Sequence, residues 1–203
     1  MRHKFKMQHQ TPPNLKLILL MCDEIQIIKN LTTKKHSQIW RRLFVHSVFV
    51  TIECIINYLR KDTRKERKIQ DLGLSKNQEK KLYDFYWTQN KSGKKTKKIS
   101  RSPFAEKLIF AFDSFNNANF VFETIDRGSE DWHDFKEAIK IRNRITHPRS
   151  INDLYVSNND LNLVQKTMYW ILDTFIDFSE KGIESLSGQI HGMERALDKY
   201  KKS

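Results

Sequence analysis

The longest apolar run of this sequence is Leu43-Phe44-Val45-His46-Ser47-Val48-Phe49-Val50-Thr51-Ile52-Glu53-Cys54-Ile55-Ile56-Asn57-Tyr58-Leu59. The spacing of its apolar residues predicts a helix that is apolar on most sides. The polar residues within the run argue against a membrane span. A helix that is apolar nearly all round lies at the centre of a bundle or is shared with a partner chain. We therefore expect Glu53 to be a buried acid, which needs a hydrogen-bond donor or a cation.

Helical patterns extend outward from this run in both directions. Caps and breaks mark their ends, with Ser75 and Ser129 as N-caps and Pro148 as a stop. The expected helices cover about residues 12–31, 37–60 or beyond, 75–89, 103–115, 129–147, 160–182 and 183–200. Residues 32–36 are expected to form a polar break, residues 91–102 a mobile loop, and residues 120–125 either a strand or a short helix. The sequence thus predicts one all-α domain over residues 1–203, a helical bundle of six or seven helices without a convincing sheet.

The composition sets limits on the class of protein. A chain of 203 residues with 38% hydrophobic and 11% aromatic residues can bury a sizeable core without metals or disulfides. Cys22 and Cys54 fit neither a zinc site nor a disulfide framework, so we expect buried free thiols in a reducing compartment. The apolar run at residues 17–22 is too short for a signal peptide or a membrane span. We expect a cytoplasmic protein that does not bind membranes.

Positive charge is concentrated in residues 60–101. This basic segment holds 15 Lys or Arg and five acids, a net charge of +10, whereas the other 161 residues carry only +3. Such a segment attracts polyanions, and the neighbouring residues Tyr83, Phe85, Tyr86 and Trp87 could stack on unpaired bases. The sequence leaves open whether the lysines contact RNA or form a solvated loop, and it favours packing onto the core for the aromatic residues. The RNA-binding candidates are Lys94, Lys95, Lys97, Lys98 and Arg101.

The candidate catalytic residues lie in one stretch of the sequence, Ile141-Arg142-Asn143-Arg144-Ile145-Thr146-His147-Pro148. Asn143 and His147 are four residues apart and share a helix face, and the long side chain of Arg142 can reach the same cleft. An imidazole with a pKa near neutrality can transfer protons, and a guanidinium can brace a phosphate with two hydrogen bonds. Together they suit phosphodiester chemistry without a metal or another cofactor.

This arrangement resembles the Arg-Asn-(three residues)-His motif of HEPN domains, all-helical bundles of prokaryotic toxins, phage-defence proteins and CRISPR-associated ribonucleases. The motif covers six residues, and the helical plan covers about residues 38–182, with the basic segment 60–101 as an insertion. The resemblance implies a homodimer in which two motifs face each other across a cleft. It also implies metal-independent cleavage of RNA by attack of the 2′-OH, which leaves a 2′,3′-cyclic phosphate. His147 would be the acid/base, Arg142 would stabilise the transition state, and Asn143 would orient the pair or hold the phosphate.

The residues also allow other interpretations. Arg142 could pair with Glu137, Asp160 or Glu53, and His147 could cap the helix carbonyls. A second cluster, Asp131-Trp132-His133-Asp134 with Glu137, could bind a metal, although acids are common in the first turn of a helix. Our hypothesis is a ribonuclease of a toxin–antitoxin or defence system, with RNA and a cognate antitoxin or defence protein as partners. The alternative is a non-catalytic HEPN module, or a basic helical protein, that binds RNA, a nucleotide or a protein partner.

Overall fold

The computed structural model describes residues 13–35, 37–67, 74–83, 85–90, 92–99 and 102–202. Within these ranges the chain is an all-α bundle of six helices with one small antiparallel sheet, which confirms the predicted fold class. The elements in chain order are α1 (Pro13–Lys35), α2 (Gln38–Arg67), α3 (Lys76–Lys81), β1 (Phe85–Gln89), β2 (Lys95–Ile99), α4 (Phe104–Ala118), α5 (Glu130–Thr146) and α6 (Asn158–Lys202). A 3-10 turn, Ile151–Leu154, precedes α6.

Helix α2 lies at the centre of the bundle, as the apolar run predicts. It packs against α1, α4, α5 and α6, and its inward side chains are almost fully buried. Each such aliphatic side chain contributes about 1.5–3 kcal/mol relative to an exposed one. Those with no exposed surface are Val45, Val48, Ile52, Ile55 and Leu59. One stripe of α2 remains uncovered, however, and Glu53 lies on it with 47% of its side chain exposed, so the predicted burial of this acid is wrong.

Several predicted helix boundaries differ from the structure, and α1 and α6 show two of these differences. Helix α1 runs through the predicted polar break to Lys35, because the hydroxyls of Thr32 and Thr33 donate hydrogen bonds to carbonyls four residues earlier in the same helix. The two helices expected on either side of Gly182 are one helix of 45 residues. Gly182 is buried there because the helix passes close to Asn119, and a Cβ at position 182 would lie 3.2 Å from the Asn119 Cβ.

The region after α3 contains the clearest error of the sequence prediction. The helix capped by Ser75 ends at Lys81, and the chain then forms a β-hairpin in which Phe85 pairs with Ile99 and Gln89 with Lys95. A hairpin therefore replaces both the end of the predicted helix and most of the predicted mobile loop. Gly93, with a φ of +82°, makes the tight turn that β-branched or bulky residues would resist. The side chain of Asn90 holds this turn by accepting hydrogen bonds from the N–H groups of Ser92 and Lys94.

The sequence left one further segment, residues 120–125, open between a strand and a short helix. Residues 121–126 form neither helix nor strand, and the Asn116 side chain holds this segment by donating to the Glu123 carbonyl at 2.8 Å.

Cys22 and Cys54 are free thiols as predicted, but they are half-buried rather than buried, and burial raises the pKa of both. None of the helices in the described ranges has an apolar stretch long enough to cross a membrane.

Candidate active site

Helix α5 carries the predicted motif, and its first turn fixes where it begins. Ser129 caps the helix by accepting a hydrogen bond from the Trp132 N–H at 3.2 Å, as predicted. Three acids near the start of the helix surround one cation, because the Lys166 Nζ lies 2.8 Å from Asp134, 3.1 Å from Glu130 and 3.6 Å from Asp131. Hydrogen bonds to Asp134 and Glu130 raise the pKa of Lys166. A lysine thus binds all three acids of this cluster, and no group of metal-binding side chains is found among the residues that the structure describes.

The other end of α5 presents the motif at the surface. Ile141 and Ile145 are buried in the core, which turns the intervening Asn143 outward. His147 is exposed and is the C-cap residue, with its N–H donating to the Asn143 carbonyl at 2.9 Å. The backbone of His147 has left the helical conformation, with φ −128° and ψ 61°, so the imidazole stands at the edge where the helix ends.

The guanidinium of Arg142 joins the motif to helices α2 and α4. One nitrogen lies 3.2 Å from the Asn143 Oδ1, and another lies 3.3 Å from the Glu53 Oε1. The guanidinium carbon lies 5.7 Å from the centre of the Phe104 ring, a cation–π distance. Glu53 is thus the partner of Arg142 among the three acids considered from the sequence. Glu137 pairs with Lys140 at 2.6 Å, and Asp160 pairs with Arg144 at 2.6 Å.

A small polar cleft of about 150 Å³ opens beside this contact. It is formed by α2 and α4, and its lining combines two cations with the acid that holds Arg142. The lining residues are Glu53, Ile56, Asn57, Arg60, Phe104 and Lys107. Lys107 and Phe104 did not emerge from the sequence. Their spacing of three residues places them on one face of α4, but only the packing of α4 against α2 brings that face to the motif.

Arg144 has a different role from Arg142. Two residues further along a helix is about 200° around its axis, so Arg144 points away from the cleft and toward the loop before α6. It donates to the Asp153 carbonyl at 3.1 Å, to the Tyr155 carbonyl and to the Asp160 carboxylate at 2.6 Å. Arg144 therefore holds the loop that follows the motif, a role that the sequence analysis did not identify.

The carboxylate of Asp160 completes this loop structure. Its burial raises its pKa, but hydrogen bonds from the N–H and hydroxyl of Ser157 and from Arg144 outweigh that effect, so the pKa lies below its ordinary value. From the other side, the Arg41 guanidinium of α2 donates to the Val156 carbonyl at 3.0 Å. The loop between α5 and α6 is thus fastened to both helices that carry the candidate site.

The RNA-binding candidates lie on the hairpin. Lys94, Lys95, Lys97 and Lys98 are all exposed, whereas Arg101 lies outside the described residues. The expectation that Trp87 packs onto the core is wrong, because 62% of this residue is exposed. Of the other aromatic residues in this region, Tyr83 lies beneath the Arg64 guanidinium at 5.2 Å, and the side chains of Phe85 and Tyr86 lie outside the description.

The chain was compared with models of protein families, with curated proteins and with solved structures, and no match was found in any of the three. These comparisons therefore assign no family to the chain. Its function has to be inferred from the contacts at the end of α5 and from the charges of the hairpin.

Proposed function

We propose that this protein is a metal-independent endoribonuclease of the HEPN type, which acts as a homodimer in a toxin–antitoxin or phage-defence system. The observation that carries the proposal is the arrangement at the end of α5. The Arg142 guanidinium contacts Asn143 at 3.2 Å, and the exposed imidazole of His147 follows one turn later at the end of the helix. A cation and an amide are therefore in contact, and an exposed imidazole lies at the end of the same helix.

These residues can perform the reaction as follows. His147 removes the proton from the RNA 2′-OH, and that oxygen attacks the adjacent phosphorus while the bond from phosphorus to O5′ breaks. The protonated imidazole of His147 of the partner subunit gives a proton to the leaving O5′. The products are a 2′,3′-cyclic phosphate and a 5′-OH. Arg142 stabilises the negative charge on the non-bridging oxygens, and Asn143 helps to hold its guanidinium in place.

The uncovered stripe of α2 supports the dimer. Ile39, Leu43 and Val50 are 67%, 40% and 47% exposed, and together with His46 and Glu53 they are spaced alternately by four and three residues. This spacing forms the seam by which two helices pack. Because Glu53 contacts Arg142, a second copy docked on this seam would bring its own motif close to the first. Val50→Lys is expected to give a monomer in sedimentation equilibrium, and an unchanged sedimentation mass would contradict this seam.

The test of the nuclease proposal is incubation of end-labelled RNA with the protein in EDTA. Wild type should cut the RNA and leave cyclic-phosphate ends, and His147→Ala should cut at least about a hundredfold more slowly while still binding RNA. Arg142→Ala should lose a similar factor, and cells expressing it should grow normally where wild type slows growth. His133→Ala is the matched control, because His133 lies at the opposite end of α5. Equal cleavage by His147→Ala and wild type would refute the proposal.

A second candidate function is favoured by the contact between Arg142 and Glu53. In this alternative the Arg142 guanidinium, with the Glu53 carboxylate at 3.3 Å, joins α5 to α2 and takes no part in a reaction. The protein would then bind RNA, or a protein partner, through its basic surface without chemistry. In that case no variant or condition gives cleavage, and RNA binding weakens steeply as salt is raised.

A further inference from the structure

The β-hairpin has two different faces. Residues that pair directly across an antiparallel sheet point to the same side, so Trp87 shares a face with Lys97, and Gln89 shares it with Lys95. The opposite face carries Thr88 and Thr96, whose hydroxyls meet at 3.0 Å. The indole of Trp87 therefore has lysines both directly across and diagonally across the ribbon.

The backbone pattern brings these side chains close. The Asn90 N–H donates to the Lys94 carbonyl, which makes that pair a hydrogen-bonded one. Paired positions alternate along the ladder, so Trp87 and Lys97 form a non-hydrogen-bonded pair, in which side chains approach most closely. Lys95 and Lys97 are two residues apart on β2, about 7 Å, so both lie beside a ligand placed on the ring.

The charge of the hairpin selects the kind of ligand. Residues 85–101 contain six lysines and arginines and no acid, so the surface complements a polyanion. An indole that is 62% exposed adds a flat apolar surface of the kind on which unpaired bases stack. In a duplex the faces of the bases are covered by their neighbours, so a single strand fits this combination better.

We propose that Trp87, Lys95 and Lys97 form a platform that stacks one unpaired base and contacts the phosphates beside it. The identity of the strand as RNA rests on the proposed function, whereas the stacking itself does not. The platform lies in the insertion rather than at the end of α5. It would therefore bind the RNA at a point separate from the scissile phosphate. Such binding would favour cleavage in unpaired regions of the RNA.

The experiment uses a dye-labelled single-stranded DNA of twelve nucleotides, which lacks the 2′-OH and cannot be cut. A matched oligomer with abasic sugars at every position supplies the same phosphates without bases. Binding is followed by fluorescence anisotropy. Trp87→Ala should weaken binding of the base-containing strand about tenfold and leave the abasic strand unchanged, whereas Trp87→Phe should retain most of the affinity. Phe122→Ala is the control, since Phe122 is also an exposed ring, at 90%.

Lys97→Ala should weaken binding of both oligomers alike and reduce their salt dependence. The platform is refuted if Trp87→Ala affects both oligomers equally or neither, or if a blunt duplex binds as well as the single strand. It is also refuted if only vesicles of anionic lipid bind in a Trp87-dependent way. If Trp87-dependent binding is seen without cleavage of RNA by any variant, the platform stands and the nuclease proposal fails. Cleavage that depends on His147 with no role for Trp87 gives the reverse result.

Discussion

The arginines at the end of α5 and the lysines of the hairpin are both cationic, but their surroundings differ. Arg142 and Arg144 each have a carboxylate within 3.3 Å, and both side chains are less than one-third exposed. Lys94 and Lys95 stand on an exposed ribbon whose residues 85–101 contain no acid. Cations that are paired with a carboxylate, like the two arginines, can position one phosphate or one loop. Exposed cations instead attract a polyanion collectively. Under the proposed function, the hairpin would capture the RNA and the end of α5 would carry out the chemistry.

The largest expected effect on stability comes from the arginine that faces the loop. Arg144→Ala should lower the free energy of unfolding by about 2–3 kcal/mol, because the Asp160 carboxylate and two carbonyls lose their donor. Lys140→Ala, which removes an exposed ion pair with Glu137, should change it by less than about 1 kcal/mol. Urea denaturation measures both variants. Equal effects would remove the distinction between held and exposed cations.

An intermediate effect on the free energy of unfolding is expected when the pH is lowered. Because the pKa of Asp160 is lowered in the folded protein, its contribution is fully present above the unfolded pKa of about 3.9 and is lost as the pH falls further. The free energy of unfolding should thus fall more steeply below pH 4 in wild type than in Asp160→Asn. Urea denaturation at pH values from 6 to 3 tests this, and parallel curves would show that the carboxylate does not sustain the loop.

The smallest effect on global stability is expected in the hairpin. Gly93→Ala places a side chain at a φ of +82°, which costs about 1 kcal/mol locally. Amide hydrogens of residues 85–99 should then exchange faster, while the thermal midpoint stays the same, because no described hairpin side chain belongs to the main core cluster. Gly188→Ala is the control, since a Cβ at this position meets nothing within 4 Å. A lowered midpoint for Gly93→Ala alone would show that the hairpin supports the bundle.

The same two regions show how far the sequence could be interpreted. The motif helix was predicted with its cap at Ser129 and its end before Pro148, because local signals agree with the helical period of its apolar residues. The partner of Arg142 was one of three acids, and only the packing of α2 against α5 selects Glu53. Its exposure could not be foreseen, since the apolar run around it does not show which stripe of α2 stays uncovered.

The hairpin was missed because its second strand, Lys95–Ile99, consists mostly of lysine, which is uncommon in strands. A signal was nevertheless present. Phe85, Tyr86, Trp87 and Thr88 are residues with high strand propensity, and Gly93 follows at the distance of a short turn. The exposure of Trp87 follows from the hairpin, since a ribbon carried outside the core leaves one of its faces uncovered.

Helix α6 has a consequence for experiments on the oligomeric state. Its 45 residues extend about 68 Å, whereas the 17 residues of α5 extend about 26 Å. A compact chain of 203 residues has a radius of gyration of only about 17 Å. A single subunit with such a rod tumbles slowly and leaves a gel-filtration column early, at the volume of a heavier sphere. Column calibration would therefore overestimate the mass of a single subunit, and molar mass must come from light scattering or sedimentation equilibrium.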